Sequence, residues 1–205
     1  MECTTLDLST IRTIVLHNRS DMRKNHMKSV LANTRLQYTL FDCIVDQTYL
    51  RSGILSLIHI YSDLLKRSQF EPVLMLEDDV NITDAYTNTI HVPAHADCVF
   101  LGLSACVSGE HPTWVEIDDT IVKITDMLSL HAYVITSECW LRVLLDCMKK
   151  TLINITYWDI PVAQQMKHYN IYGYKKPFFY QDSAVGGQQG PTKITFEDIR
   201  MRVIF

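Results

Sequence analysis

Residues 72–80 read Pro-Val-Leu-Met-Leu-Glu-Asp-Asp-Val, and this run constrains the fold more than any other stretch. Apolar residues 73–76, with a proline before them and acids after, predict a strand buried on both faces. Carboxylates at the carboxyl end of such a strand stand at the mouth of a sheet, where open α/β folds bind ligands. Glu77, Asp78 and Asp79 repel one another there, and a divalent cation relieves that repulsion most simply. Their hard oxygen ligands suit Mg²⁺ or Mn²⁺, ions that keep positions open for substrate phosphates. A solvated acidic turn is the plain alternative.

The flanking sequence supplies the rest of a sheet. Residues 11–16 form an apolar, β-branched run that predicts a first strand. His17, Asn18, Arg19, Ser20 and Asp21 end it, and Met22, Met27, Val30 and Leu31 then fall at roughly helical spacing. Ser20 or Asp21 is placed to cap that helix. Strand, polar turn, helix start is a geometry that aims backbone N–H groups and arginines at a phosphate or nucleobase. Residues 36–45 predict a second strand. Residues 52–66 predict an amphipathic helix, with His59 packed rather than ligating. This alternation favours a mostly parallel sheet.

Further along, residues 98–103 and 127–136 predict strands, and residues 115–117 and 121–124 predict a hairpin around Asp118-Asp119. Ser137 caps a helix reaching to residue 149. Asp159 stands at an N-cap position, with Pro161 in the first turn of a helix running to His168. Residues 180–190, rich in Gly, Gln and Ser, predict a flexible loop suited to a mobile lid.

Composition narrows the classes. A chain of 205 residues fits one domain. A net charge of −4 argues against a nucleic-acid binder that relies on a basic surface. No stretch approaches the roughly 18 apolar residues of a membrane span. The amino terminus lacks the basic and apolar regions of a secretory signal. The six cysteines include no Cys-x-x-Cys pair, so a reduced, cytoplasmic protein is expected. The apolar end at residues 201–205 suggests a domain excised from a longer chain. Rossmann, P-loop, Gly-x-Ser-x-Gly and His-Glu-x-x-His motifs are all lacking. A nucleotide diphosphate bridging a metal at the acids and the basic turn accommodates what remains.

The His-Asn-Arg-Ser-Asp-Met-Arg segment after the first strand, Leu-Glu-Asp-Asp-Val, His131-Ala132-Tyr133-Val134-Ile135 and Tyr180-Gln181-Asp182-Ser183 together resemble family-25-like glycosyltransferases. The resemblance extends over most of the chain, and within the family it points to a viral, capsid-glycan-building branch. It implies a GT-A fold (a mixed, mostly parallel central sheet flanked by helices), a UDP-sugar donor, Mn²⁺ or Mg²⁺, and a glycan acceptor. For the viral branch it implies inverting transfer, with rhamnose the suspected sugar and the host cytoplasm the location. Carried over by residue, it assigns Asp79 and Asp78 to the metal, with Asp78 also reaching the ribose. It assigns His17, Asn18, Arg19 and Arg23 to the nucleotide, and Asp182 to the donor or the metal. Asp159 becomes the general base, with Asp126, Glu110 and Asp182 behind it. His168 and Asp182 are the substitutes for a late metal ligand. Trp114, Trp158 and Tyr172 are candidates for stacking on sugars. Two other classes use the same residues: a metal-dependent phosphohydrolase and a non-catalytic nucleotide-sugar-binding module.

Overall fold

A computed structural model describes residues 2–104, 113–128 and 130–185. Apolar runs become the centre of an eight-stranded sheet ordered β3-β2-β4-β10-β7-β11-β9-β8. Its members are β2 (Arg12–His17), β3 (Tyr38–Asp42), β4 (Val73–Glu77), β7 (Cys98–Phe100), β8 (Thr113–Glu116), β9 (Ile121–Asp126), β10 (Ala132–Ile135) and β11 (Ile171–Tyr174). Val73, Leu74, Met75 and Leu76 are all buried, as an uninterrupted apolar strand requires.

The sheet is mixed rather than mostly parallel. β2 pairs in parallel with β3 and β4, and β7 with β11. The pairings β4–β10, β10–β7, β11–β9 and β9–β8 are antiparallel. The chain reverses at the β8–β9 hairpin, and β10, running in the direction of β9, therefore enters between β4 and β7 antiparallel to both.

Helices α1 (Asp21–Leu31), α2 (Tyr49–Leu65), α3 (Glu138–Ile153) and α4 (Asp159–Met166) flank the sheet. One core packs α2, α3 and α4 against one face, with Ile54, Leu57, Tyr61, Trp140, Leu144 and Val162 at its centre. A second core under α1 holds Met27, Leu31, Leu74 and Leu76. Ser137 caps α3 as expected, accepting a hydrogen bond from the Trp140 amide at 3.1 Å. α2 starts earlier than its apolar spacing indicates, because the Thr48 hydroxyl accepts from the Arg51 amide at 3.2 Å. Ser20 occupies the N-cap of α1 without a side-chain bond. His59 packs on the Phe41 ring, centroids 5.5 Å apart.

Two small sheets complete the fold. β1 (Cys3–Asp7) pairs with β6 (Thr89–Pro93), and β5 (Val80–Ile82) pairs with β12 (Phe179–Gln181). The second pairing replaces the start of the expected loop. Residues 179–181 are strand, and Ser183–Val185 is a 3₁₀ turn held by the Ala184 amide bonding to Asp182 Oδ1 at 2.9 Å. Residues 186–190 of that segment, Glu110 and residues 201–205 lie outside the described residues. Among the described residues Cys3, Cys43, Cys98, Cys139 and Cys147 form no disulfide. Among the described residues no helix is long and apolar enough to cross a membrane.

Candidate active site

The carboxyl ends of β2, β3 and β4 open into a cleft of about 160 Å³ that faces solvent. Its polar floor is Glu77, Asp78 and Asp79 with Asn18, Arg19 and Arg23; its apolar side is Ile44, Val45, Tyr49, Gly53 and Trp158. An apolar wall with a few convergent polar groups is the lining expected of a small-molecule site.

The three acids have different environments. Asp78, 3% exposed, is held on both oxygens. Arg23 Nη1 donates to its Oδ1 at 2.5 Å, and the Asn18 amide donates to its Oδ2 at 2.7 Å. It therefore locks the turn after β2 onto the end of β4. Asp79, 6% exposed, faces Arg23 Nη1 at 3.7 Å through Oδ2, while its buried Oδ1 accepts no hydrogen bond. Burial lifts the Asp79 carboxyl above its ordinary pKa; Arg23 opposes this and Asp78 adds to it. Glu77 is half-buried and accepts from Gln181 Nε2 at 2.9 Å. Burial pushes its pKa well up, and the charges of Asp79, Asp78 and Asp159 push it further.

Of the residues assigned from sequence, Asn18, Arg19, Arg23, Asp78 and Asp79 line this cleft together. His17 sits differently. It is 2% exposed, with Nδ1 3.0 Å from Asp42 Oδ1 and Nε2 3.1 Å from the Ser20 carbonyl. Both ring nitrogens are occupied in bracing the turn, so His17 acts behind the cleft and not in it. Asp182 adjoins Asp79 through its backbone, donating to the Asp79 carbonyl at 2.7 Å. Its carboxylate turns away, accepting from Asn81 Nδ2 at 3.1 Å and the Ala184 amide at 2.9 Å. Asp159 is the first residue of α4 and not its N-cap; Trp158 holds that position in helical conformation. Asp159 follows the cleft-lining Trp158, and its charge is felt at Glu77.

Asp126 ends β9, four strands from β4, and His168 is exposed beyond α4. Tyr172 is core, its hydroxyl 2.7 Å from His95 Nε2, and Trp114 packs against the core. Only Trp158 of the three aromatic candidates lines the cleft.

Four cleft residues escape a reading by periodicity: Cys43, Ile44, Val45 and Tyr49. The strand ends at Asp42, freeing residues 43–46 to lie over the cleft. Serines of α2 pin them there, Ser56 Oγ accepting from the Ile44 amide at 2.8 Å and Ser52 Oγ from the Asp46 amide at 3.0 Å. The Thr48 cap was the signal for Tyr49. Desolvation of the hydroxyl on the cleft side and then Glu77 push the pKa of Tyr49 up to about 12, although the residue as a whole is 66% exposed.

Arg19 carries a φ of 66°, a left-handed conformation that non-glycine residues rarely adopt. Its Nε donates to the Cys43 carbonyl at 2.8 Å. Arg19→Gly is expected to relieve roughly 1 kcal/mol of backbone strain, partly offset by lost unfolded-chain stiffness. Its melting temperature should stay close to wild type, the relieved strain set against the lost bond to Cys43, while the nucleotide binding proposed below weakens. A variant that loses stability and keeps affinity would show that the side chain serves the fold alone.

A divalent cation fits these residues in one particular way. Asp79 Oδ1 is a buried oxygen in search of a partner, and Asp78 is already satisfied by Arg23 and Asn18. Among the described residues no cluster of three or more His, Cys, Asp or Glu forms a protein-only cage. A cation held here would draw one carboxylate oxygen from Asp79 and its other ligands from phosphate and water, as Mg²⁺ or Mn²⁺ can.

No family model and no curated protein matches the sequence. Among solved structures, the chain is similar to the crystal structure of a glycosyltransferase involved in the glycosylation of the major capsid of PBCV-1. The similarity has a TM-score of 0.39 and 10% identity, over 80% of this chain and 92% of that one. A likeness so distant fixes neither family nor fold.

Proposed function

We propose that the chain is a GT-A-type, metal-dependent, inverting glycosyltransferase that moves a sugar from a UDP-sugar to a glycan acceptor. The observation that carries this reading is the unpartnered Asp79 oxygen on the cleft floor, beside an Arg23–Asp78 pair and below the Asn18-Arg19 turn. The sequence resemblance supports UDP as the nucleotide and rhamnose as the sugar.

In this reading Asp79 holds the cation, with Asp78 keeping Arg23 and the turn in register beside it. A bound Mn²⁺ or Mg²⁺ would supply charge neutralisation for the diphosphate leaving group. Arg19 and Arg23 add positive charge on the same side, and the Asn18-Arg19 turn with residues 43–45 faces the nucleoside. Asp159 accepts the proton of the acceptor hydroxyl as its oxygen bonds to the anomeric carbon. The bond from that carbon to the diphosphate oxygen breaks, UDP departs with the electron pair, and configuration inverts.

Thermal-shift measurements with UDP test the nucleotide site. At 100 times Kd a ligand adds about 2.7 kcal/mol to stability, or about 5–10 °C for a domain of this size. That shift should appear with UDP and Mn²⁺ together and shrink when the metal is chelated. Absence of any UDP effect overturns the reading. Release of free sugar or phosphate without an acceptor would favour a phosphohydrolase, and binding without turnover a sugar-nucleotide-binding module.

A further inference from the structure

Behind the cleft lies a second space of about 10 Å³, room for about one water, bounded by Glu77, Leu57, Met75, Leu130 and Tyr133. Trp158 lines both spaces together with Leu16 and Glu77. Its seat is specific. A Cβ on Gly53 would lie 2.8 Å from both Cη2 and Cζ3 of the indole, so only a glycine in α2 lets the ring rest there. On the cleft side the Tyr49 ring stands 6.2 Å away, tilted by 45°. The backbone of Trp158 is fixed as the N-cap of α4, one residue before Asp159.

These positions put a flat apolar wall at the end of the cleft where Glu77 gathers, the end a group linked to a diphosphate would reach. Removing the indole would widen the cleft on the side of Leu16 and Glu77. We propose that Trp158, seated on Gly53, is the residue that sets which sugar the cleft admits: its ring packs on a pyranose face and excludes bulky substituents. The assignment rests on the transferase reading above.

Calorimetry with Mn²⁺ on wild type, Trp158→Leu and Gly53→Ala tests it, using UDP, UDP-glucose and UDP-N-acetylglucosamine as probes. Wild type should bind UDP-glucose roughly tenfold or more tighter than UDP-N-acetylglucosamine, a ratio within reach of apolar pocket contacts. Trp158→Leu should shrink that ratio to about threefold or less and leave UDP affinity within about twofold of wild type. Gly53→Ala displaces the indole and should weaken both sugar nucleotides relative to UDP. Adding it to Trp158→Leu should change nothing further, because the clash needs the indole. An unmoved ratio in a folded Trp158→Leu, with UDP still bound, overturns the Trp158 assignment alone. Should that variant fail to fold, Gly53→Ala decides, and unchanged sugar-nucleotide affinities overturn the assignment. Failure of wild type to bind UDP overturns the transferase reading, and this assignment with it.

Discussion

Asp159→Asn is expected to slow sugar transfer by about 10²–10⁴-fold, the usual cost of losing a general base. The side chain keeps its shape but cannot take the acceptor's proton. Stability should hardly move. Asp159 is an acidic residue in the first turn of α4, where the helix dipole makes a carboxylate worth about 0.3–1 kcal/mol. Donor binding should also persist, since the proposed UDP site lies at the turn after β2 and the acids of β4. Steady-state transfer, UDP-sugar calorimetry and melting temperature, taken together, separate these effects. A variant that transfers sugar at close to the normal rate would remove Asp159 from the chemistry. Asp182 is a poor replacement, because both of its carboxylate oxygens are engaged.

The second large effect is on stability. Arg23 and Asp78 form a well-buried ion pair, with side chains 12% and 4% exposed. Arg23→Met leaves Asp78 with the Asn18 amide alone and an uncompensated charge on the cleft floor. Breaking such a pair from one side costs about 3–5 kcal/mol. For a domain of this size that is a fall of roughly 6–20 °C in melting temperature. Arg23 also donates to the Val185 carbonyl at 3.1 Å, so the 3₁₀ turn should loosen with it. Denaturant unfolding of Arg23→Met, Asp78→Leu and the double variant gives the coupling directly. The double variant should be more stable than the two separate losses add up to. Strict additivity would mean that the pair contributes nothing as a pair.

How much of this was legible beforehand follows from the range of each interaction. Buried strands such as β4 and β10, and the Ser137 cap of α3, depend on neighbours in sequence and were readable. β1 was not: Cys-Thr-Thr-Leu-Asp is almost wholly exposed and carries no apolar alternation. The pairing of β5 with β12 joins segments about a hundred residues apart, and it turned an expected loop into strand. The site shows the same division. Acids at the end of a buried strand, and a basic turn after the first, could be placed at one sheet edge from their pattern. The partners that divide the labour of the acids lie 55 and 60 residues away, in Arg23 and Asn18. Without them Asp78 and Asp79 look equivalent. His17 reads as part of a polar, ligand-facing turn; only the position of Asp42 on the adjacent strand shows that its ring faces inward.

UDP binding by Asp79→Ala, measured by calorimetry with and without Mn²⁺, tests the central claim most directly. Wild type should bind UDP more tightly with Mn²⁺ than with a chelator. Asp79→Ala should lose that gain, by about tenfold or more, and keep a melting temperature close to wild type, since Asp79 Oδ1 makes no internal hydrogen bond and Arg23, 3.7 Å from Oδ2, keeps its closer partner Asp78. Unchanged affinity with unchanged metal dependence would contradict the account and place the site elsewhere.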